Sequence, residues 1–130
     1  MLYNKVIDYL GLGDLFLESR EFATFAAGIL DDKKAERVEV IEISALTTIA
    51  DFFVICSGNT TTQVKALCDN VLEKAKEQNI EPLRIEGYDS GAWILVDFGS
   101  VVVHVFKTDM RDFYSLDRLW GDGEKVSTDK

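Results

Sequence analysis

The side chains from which this 130-residue chain could most readily build chemistry are one histidine, His104, and two cysteines, Cys56 and Cys68. A Cys–His nucleophile needs a thiolate, yet Cys56 lies in the apolar run 52–56 and Cys68 on an apolar helical stripe, where burial raises a thiol's pKa and leaves it inert. No CxxC or HxxxH spacing supplies a metal site. Asp97-Phe98-Gly99 spells a kinase tripeptide, but the glycine-rich and catalytic loops are missing. Ser57-Gly58-Asn59-Thr60 joins an apolar run to a helix start whose free amides could hold an anion. That turn has no lysine, and no following strand carries a close acidic pair for magnesium. The reading is therefore a non-enzyme with no catalytic residue, cofactor or metal. A nucleotide-binding enzyme or sensor at Ser57 to Thr60 is the alternative.

The remaining aromatic and polar residues gather late in the chain: Glu86, Tyr88, Trp93, Asp97, His104, Arg111, Tyr114, Asp117, Trp120 and Asp122. Trp, Tyr and Arg dominate protein interfaces, so a partner surface is the functional class they suit. The element that must position them is WILVDFGSVVVHVF, residues 93–106, two apolar runs divided by Gly99-Ser100. Gly before a small polar residue fits a type II′ turn and fixes the register. Phe98 then opposes Val101, Val96 opposes Val103 and Ile94 opposes Val105, an all-apolar face for the core. The other face sets Asp97 against Val102, Leu95 against His104 and Trp93 against Phe106, and is read as the partner face, with an internal packing face covered by a helix as the alternative that composition does not separate from it.

Ahead of the hairpin, Ser19 could cap a helix with Phe22, Phe25, Ala26, Ile29 and Leu30 on one stripe, ending near the charged run 31–34. Residues 38–43 and 51–57 read as strands, the second apolar enough to be covered on both faces. Thr60 and Gln63 have capping-box spacing for a helix striped by Val64, Leu67, Cys68, Val71, Leu72 and Ala75, closed by Asn79 and Pro82. A short strand at 83–86 precedes the hairpin, and 109–119 reads as short helical turns. The fold class is α/β, a mixed sheet of about five strands with helices packed on it. Residues 1–18 form an N-terminal extension, 19–122 one domain and 123–130 a polar tail.

Apolar residues at 47% and charged residues at 28% suit a globular protein. No apolar run reaches the about 18 to 20 residues of a membrane span and no signal peptide is evident, so a cytoplasmic location is expected. Fourteen basic against 23 acidic residues leave a net charge of −9. Such a chain lacks the cations that displace counterions from DNA, and attracts a basic protein instead.

At these residues the chain resembles the ribosomal silencing factor family, RsfS, also called Iojap. The likeness runs through Asp31-Asp32-Lys33-Lys34-Ala35-Glu36, Ala50-Asp51-Phe52-Phe53-Val54-Ile55-Cys56-Ser57-Gly58-Asn59, Glu86-Gly87 and Trp93-Ile94-Leu95-Val96-Asp97. It continues through Val101-Val102-Val103-His104-Val105-Phe106 and Tyr114-Ser115-Leu116-Asp117-Arg118-Leu119-Trp120-Gly121-Asp122, covering roughly residues 19 to 122. The resemblance implies a nucleotidyltransferase-like topology without the catalytic carboxylates. It also implies a factor that binds the large ribosomal subunit through ribosomal protein L-fourteen, blocks subunit joining and represses translation. Homodimers occur in the family, and self-association through the hairpin face is a further expectation. The partner-binding residues on this reading are Glu86, Tyr88, Trp93, Leu95, Asp97, His104, Phe106, Tyr114 and Trp120.

Overall fold

The computed structural model describes the backbone of residues 12–114 and 124–126, and the side chains of residues 18–111. The chain runs α1 (Leu12–Asp32), β1 (Glu36–Glu42), β2 (Phe52–Gly58), α2 (Thr61–Glu77), β3 (Arg84–Glu86), β4 (Trp93–Asp97), β5 (Val101–Lys107), α3 (Thr108–Tyr114) and β6 (Glu124–Val126). The sheet order is β3-β4-β5-β2-β1-β6, with β2 and β5 parallel and every other pair antiparallel. The expected mixed α/β sheet is therefore present. A sixth short strand joins it where the polar C-terminal segment returns to pair Val126 with Val40.

Helix α1 begins at Leu12, so Ser19 lies inside it, buried, rather than capping its start. The expected boundary after residue 18 thus falls within one helix. Alternation along the strands turns Val40, Phe52, Val54, Cys56, Ile94, Val96, Val101, Val103 and Val105 toward the two long helices. There they meet Phe22, Ala23, Ala26, Ala27 and Leu30 of α1, and Val64, Leu67, Cys68, Val71 and Ala75 of α2. Alanines in the α1 stripe leave no long side chain between backbone and neighbour, so the helix seats closely. Both cysteines are buried free thiols, and burial pushes each up to about 12.

The hairpin has the register that its turn dictates: Trp93 opposite Phe106, Ile94 opposite Val105, Leu95 opposite His104, Val96 opposite Val103 and Asp97 opposite Val102. Gly99 takes φ +96 at the turn, a conformation a Cβ would strain. The capping box also forms. Thr60 Oγ1 accepts from the Gln63 amide at 3.0 Å, and Gln63 Oε1 reaches back to the Asn59 amide at 2.7 Å. At the far end of α2, Asn79 takes φ +62 and Ile80 donates to the Ala75 carbonyl at 2.9 Å, ending the helix.

Candidate partner-binding face

The sheet side turned away from α1 and α2 carries a second layer. Ile41, Ile43, Ala50, Phe53, Ile55, Val102 and Phe106 form a buried cluster, with Trp93, Leu95 and Met110 packed against it and partly open. Pairing places Glu86, Leu95, His104, Ile55 and Glu39 in one row across this face, and Arg84, Asp97, Val102, Phe53 and Ile41 in the next. The layer grades from sealed beneath β2 and β5 to half-open at β4 and exposed at β3.

Its centre is an aromatic stack. The Trp93 ring lies on Phe106, centroids 4.9 Å apart and planes 22° off parallel, and its Nε1–H donates to His104 Nδ1 at 3.1 Å. Phe53 meets His104 edge-on at 4.5 Å. His104 is 3% exposed and its pKa is lowered to about 4 by burial, so the ring is neutral at physiological pH. Because Nδ1 accepts the indole proton, the histidine's own proton sits on Nε2, a buried atom with no acceptor. Phe106 is 0% exposed. Phe106 is sealed and His104 nearly so: they hold Trp93 from beneath. Among the described residues, the open part of this face includes Trp93, Leu95 and Asp97, continued by Glu86 and by Arg84, which sequence reasoning did not single out.

Asp97 is tied on both oxygens, Oδ1 accepting from the Gly99 amide at 2.8 Å and Oδ2 from Arg84 Nε at 3.2 Å. Arg84 also bridges to Glu86 at 2.8 Å. Tyr88 does not join this patch. Its hydroxyl donates to Asp69 of α2 at 3.1 Å, Lys65 lies over its ring at 5.6 Å, and the Asp69 carboxylate beside it raises its pKa. It belongs to the helix side of the sheet. The Tyr114 side chain and Trp120 lie outside the described residues.

Behind the face sits Arg111 of α3, 1% exposed. Its Nη1 donates to the Arg37 carbonyl at 2.6 Å and to Ser57 Oγ at 3.1 Å, and its Nη2 meets Glu39 at 2.7 Å. Arg37 takes φ +52 where the β1–β2 register slips between Glu36 and Glu39, so the guanidinium clasps a bulge and fixes α3 to it. These three partners are 54 to 74 residues away in the chain, and no local pattern announces them.

The catalytic alternatives find little geometry. Cys56 points to the helix side and His104 to the opposite side of the sheet, so no thiol–imidazole pair forms. Among the described residues, no group of three or more His, Cys, Asp and Glu could hold a metal. At the Ser57–Thr60 turn, the Asn59 and Gln63 amides are already bonded to the capping side chains. Thr108 Oγ1 sits 3.1 Å from the Gly58 carbonyl. The capping box thus uses two of the amides at this helix start.

A family model described as "Ribosomal silencing factor during starvation" matches residues 17–130. The chain belongs to the ribosomal silencing factor family. The RsfS protein of Halalkalibacterium halodurans is 44% identical over 110 residues, covering 85% of this chain and 94% of that one. A crystal structure of a Chromobacterium violaceum protein superposes with a TM-score of 0.76 at 38% identity, over 83% of this chain and 89% of that chain. A mouse relative named mitochondrial assembly of ribosomal large subunit protein 1 is 32% identical over 71% of this chain, which spans 42% of the mouse protein. Ribosomal silencing factors and an organellar ribosome-assembly protein thus share this domain, and the match starts inside α1.

Proposed function

We propose that the Trp93 face docks on ribosomal protein L-fourteen of the large subunit, that the bound domain blocks small-subunit joining, and that translation in the cytoplasm is repressed without any bond being made or broken. One observation carries this reading: the half-open Trp93 indole is fixed by a hydrogen bond to His104 and a stack on Phe106. A large aromatic already locked in place gives up little conformational freedom on binding, which suits an interface anchor. Leu95 adds apolar area, and Asp97 and Glu86 place acid at the rim beside Arg84. A net charge of −9 speeds encounter with a basic ribosomal protein. Family membership supports the ribosome as target.

Calorimetric titration with purified L-fourteen tests the reading. Wild type should bind, while Trp93→Ala, shown to be folded by circular dichroism, should lose about 2 kcal/mol or more, roughly thirtyfold in affinity. Undiminished binding by that variant would place the interface elsewhere.

A further inference from the structure

Strand β3 ends the sheet beside the Trp93 face, and among the described residues nothing pairs with its outer side. Its backbone polarity follows from the hairpin. Phe98 donates to the Val101 carbonyl and Lys107 to the Ala92 carbonyl, so positions 92, 94, 96 and 98 turn their backbone groups toward β5. Positions 95 and 97 turn theirs toward β3, opposite Glu86 and Arg84, and the Asp97 carbonyl also accepts from the Leu83 amide at 2.7 Å. Ile85 is therefore left with its N–H and C=O directed outward, and its side chain is 40% exposed. Leu83 just ahead is 74% exposed. Sheet edges are usually blunted by charge, proline or a cover, because free amides beside apolar side chains recruit another strand.

The charges around this edge select the strand that fits it. Between residues 81 and 97, Glu81, Glu86, Asp89 and Asp97 are opposed only by Arg84, whose guanidinium already bridges Glu86 at 2.8 Å and Asp97 at 3.2 Å. We propose that β3 is a docking edge for an extended basic segment of a partner protein, which adds antiparallel to the outer side of the sheet. The partner residue facing Ile85 exchanges both backbone bonds with it and is apolar, because it shares a side of the sheet with Ile85 and Val96. Its neighbour toward the partner's N-terminus faces Glu86 and is Lys or Arg. Its neighbour toward the C-terminus faces the already neutralised Arg84 and is uncharged. The next residue is apolar and lies beside Leu83, and further basic residues flank the core toward Asp89 and Glu81. A second copy would bring the same acidic surplus to this edge, whereas a basic segment neutralises it. The inference goes beyond the L-fourteen reading and does not depend on what the Trp93 face binds.

Heteronuclear NMR titration of the labelled chain with the peptide acetyl-Lys-Lys-Val-Thr-Val-Lys-amide reads the edge directly. Wild type should bind with a Kd on the order of 0.1–1 mM, as suits a short strand, and the Ile85 amide should exchange with solvent roughly tenfold more slowly when bound. The same peptide with glutamates for lysines should not bind. Ile85→Pro removes only the outward N–H, which an edge strand tolerates, so it should stay folded by circular dichroism and bind roughly tenfold more weakly or worse, while Ile85→Val binds normally. Glu86→Lys should weaken the lysine peptide roughly tenfold, and a peptide with glutamate at its second position should prefer Glu86→Lys to wild type. Wild type that ignores the lysine peptide at millimolar concentration, Ile85→Pro that binds it normally, or lysine and glutamate peptides bound alike would each overturn the proposal. An Ile85 amide already slow to exchange in dilute protein would assign the edge to another segment of this chain. One that responds to protein concentration and not to peptide would assign it to a second copy, and either result overturns the proposal too. Trp93→Ala should bind the peptide as wild type does, so failure of this edge and failure of the L-fourteen reading remain distinct.

Discussion

His104 and Arg111 are the residues on which the proposed partner face rests, and they differ in how far a sequence discloses them. Once Gly99-Ser100 fixes the register, Leu95 opposes His104 and Trp93 opposes Phe106, so Trp93 and His104 become diagonal neighbours on one face. Their contact follows from local rules. Its consequence, a buried neutral imidazole, depends on β2 supplying Phe53 and Ile55 beside it, which is a tertiary fact. Burial lowers the folded-state pKa of His104 from an ordinary 6.5 to about 4, so the unfolded chain takes up this proton first. Stability is therefore full above about pH 6.5, falls as pH drops toward 4, and loses no more to this group below that. The loss should amount to about 3 kcal/mol, and His104→Gln, which keeps an acceptor for the indole, should remove that slope in denaturant melts at stepped pH. Equal slopes for the two proteins would show that His104 does not titrate in this way. Arg111→Ala should cost about 3 kcal/mol in urea unfolding, because it strands the Glu39 carboxylate and the Arg37 carbonyl in a half-buried site. A change below about 1 kcal/mol would mean that water replaces the guanidinium.

Among the elements, the hairpin, the β2 core strand and α2 could be read from the chain alone, since turn chemistry, an unbroken apolar run and a capping box are all local signals. The start of α1 could not be, because Ser19 is a good cap in isolation while the helix continues back past Gly13 to Leu12. Strand β6 escaped because Glu124-Lys125-Val126 has no strand pattern of its own and is recruited by the free edge of β1. The loop between β3 and β4 is positioned by Gly87, whose φ is +80 and where a Cβ would run into the Trp93 carbonyl oxygen. Gly87→Ala should therefore destabilise the fold by about 2 kcal/mol or more and shift Trp93 fluorescence, because the backbone that sets the indole must move. An unchanged emission spectrum would uncouple this turn from the face.

At the scale of the molecule, the hairpin reading proposes one greasy side and one side free for a partner, whereas the structure divides that second side. Its β2–β5 part, with Ile41, Ile43, Phe53 and Ile55, is buried, so Phe106 and His104 are internal, and among the described residues the open margin runs through Trp93, Leu95 and Asp97 to β3, with Met110 partly open beside it. The division was hidden because it requires the strand order, with β1 and β2 laid beside the hairpin by a parallel crossover. Tyr88 shows the same limit, since sequence proximity to Trp93 could not reveal that its hydroxyl turns to α2. The acidic surface should make binding to the ribosome weaken as salt rises, chiefly through slower association. The decisive measurement is sedimentation of purified large subunits with this protein, before and after small subunits are added. Wild type should travel with the large subunit and keep the two subunits apart, and Trp93→Ala should do neither; wild-type protein left in the supernatant, or subunits that join with it still bound, would contradict the account.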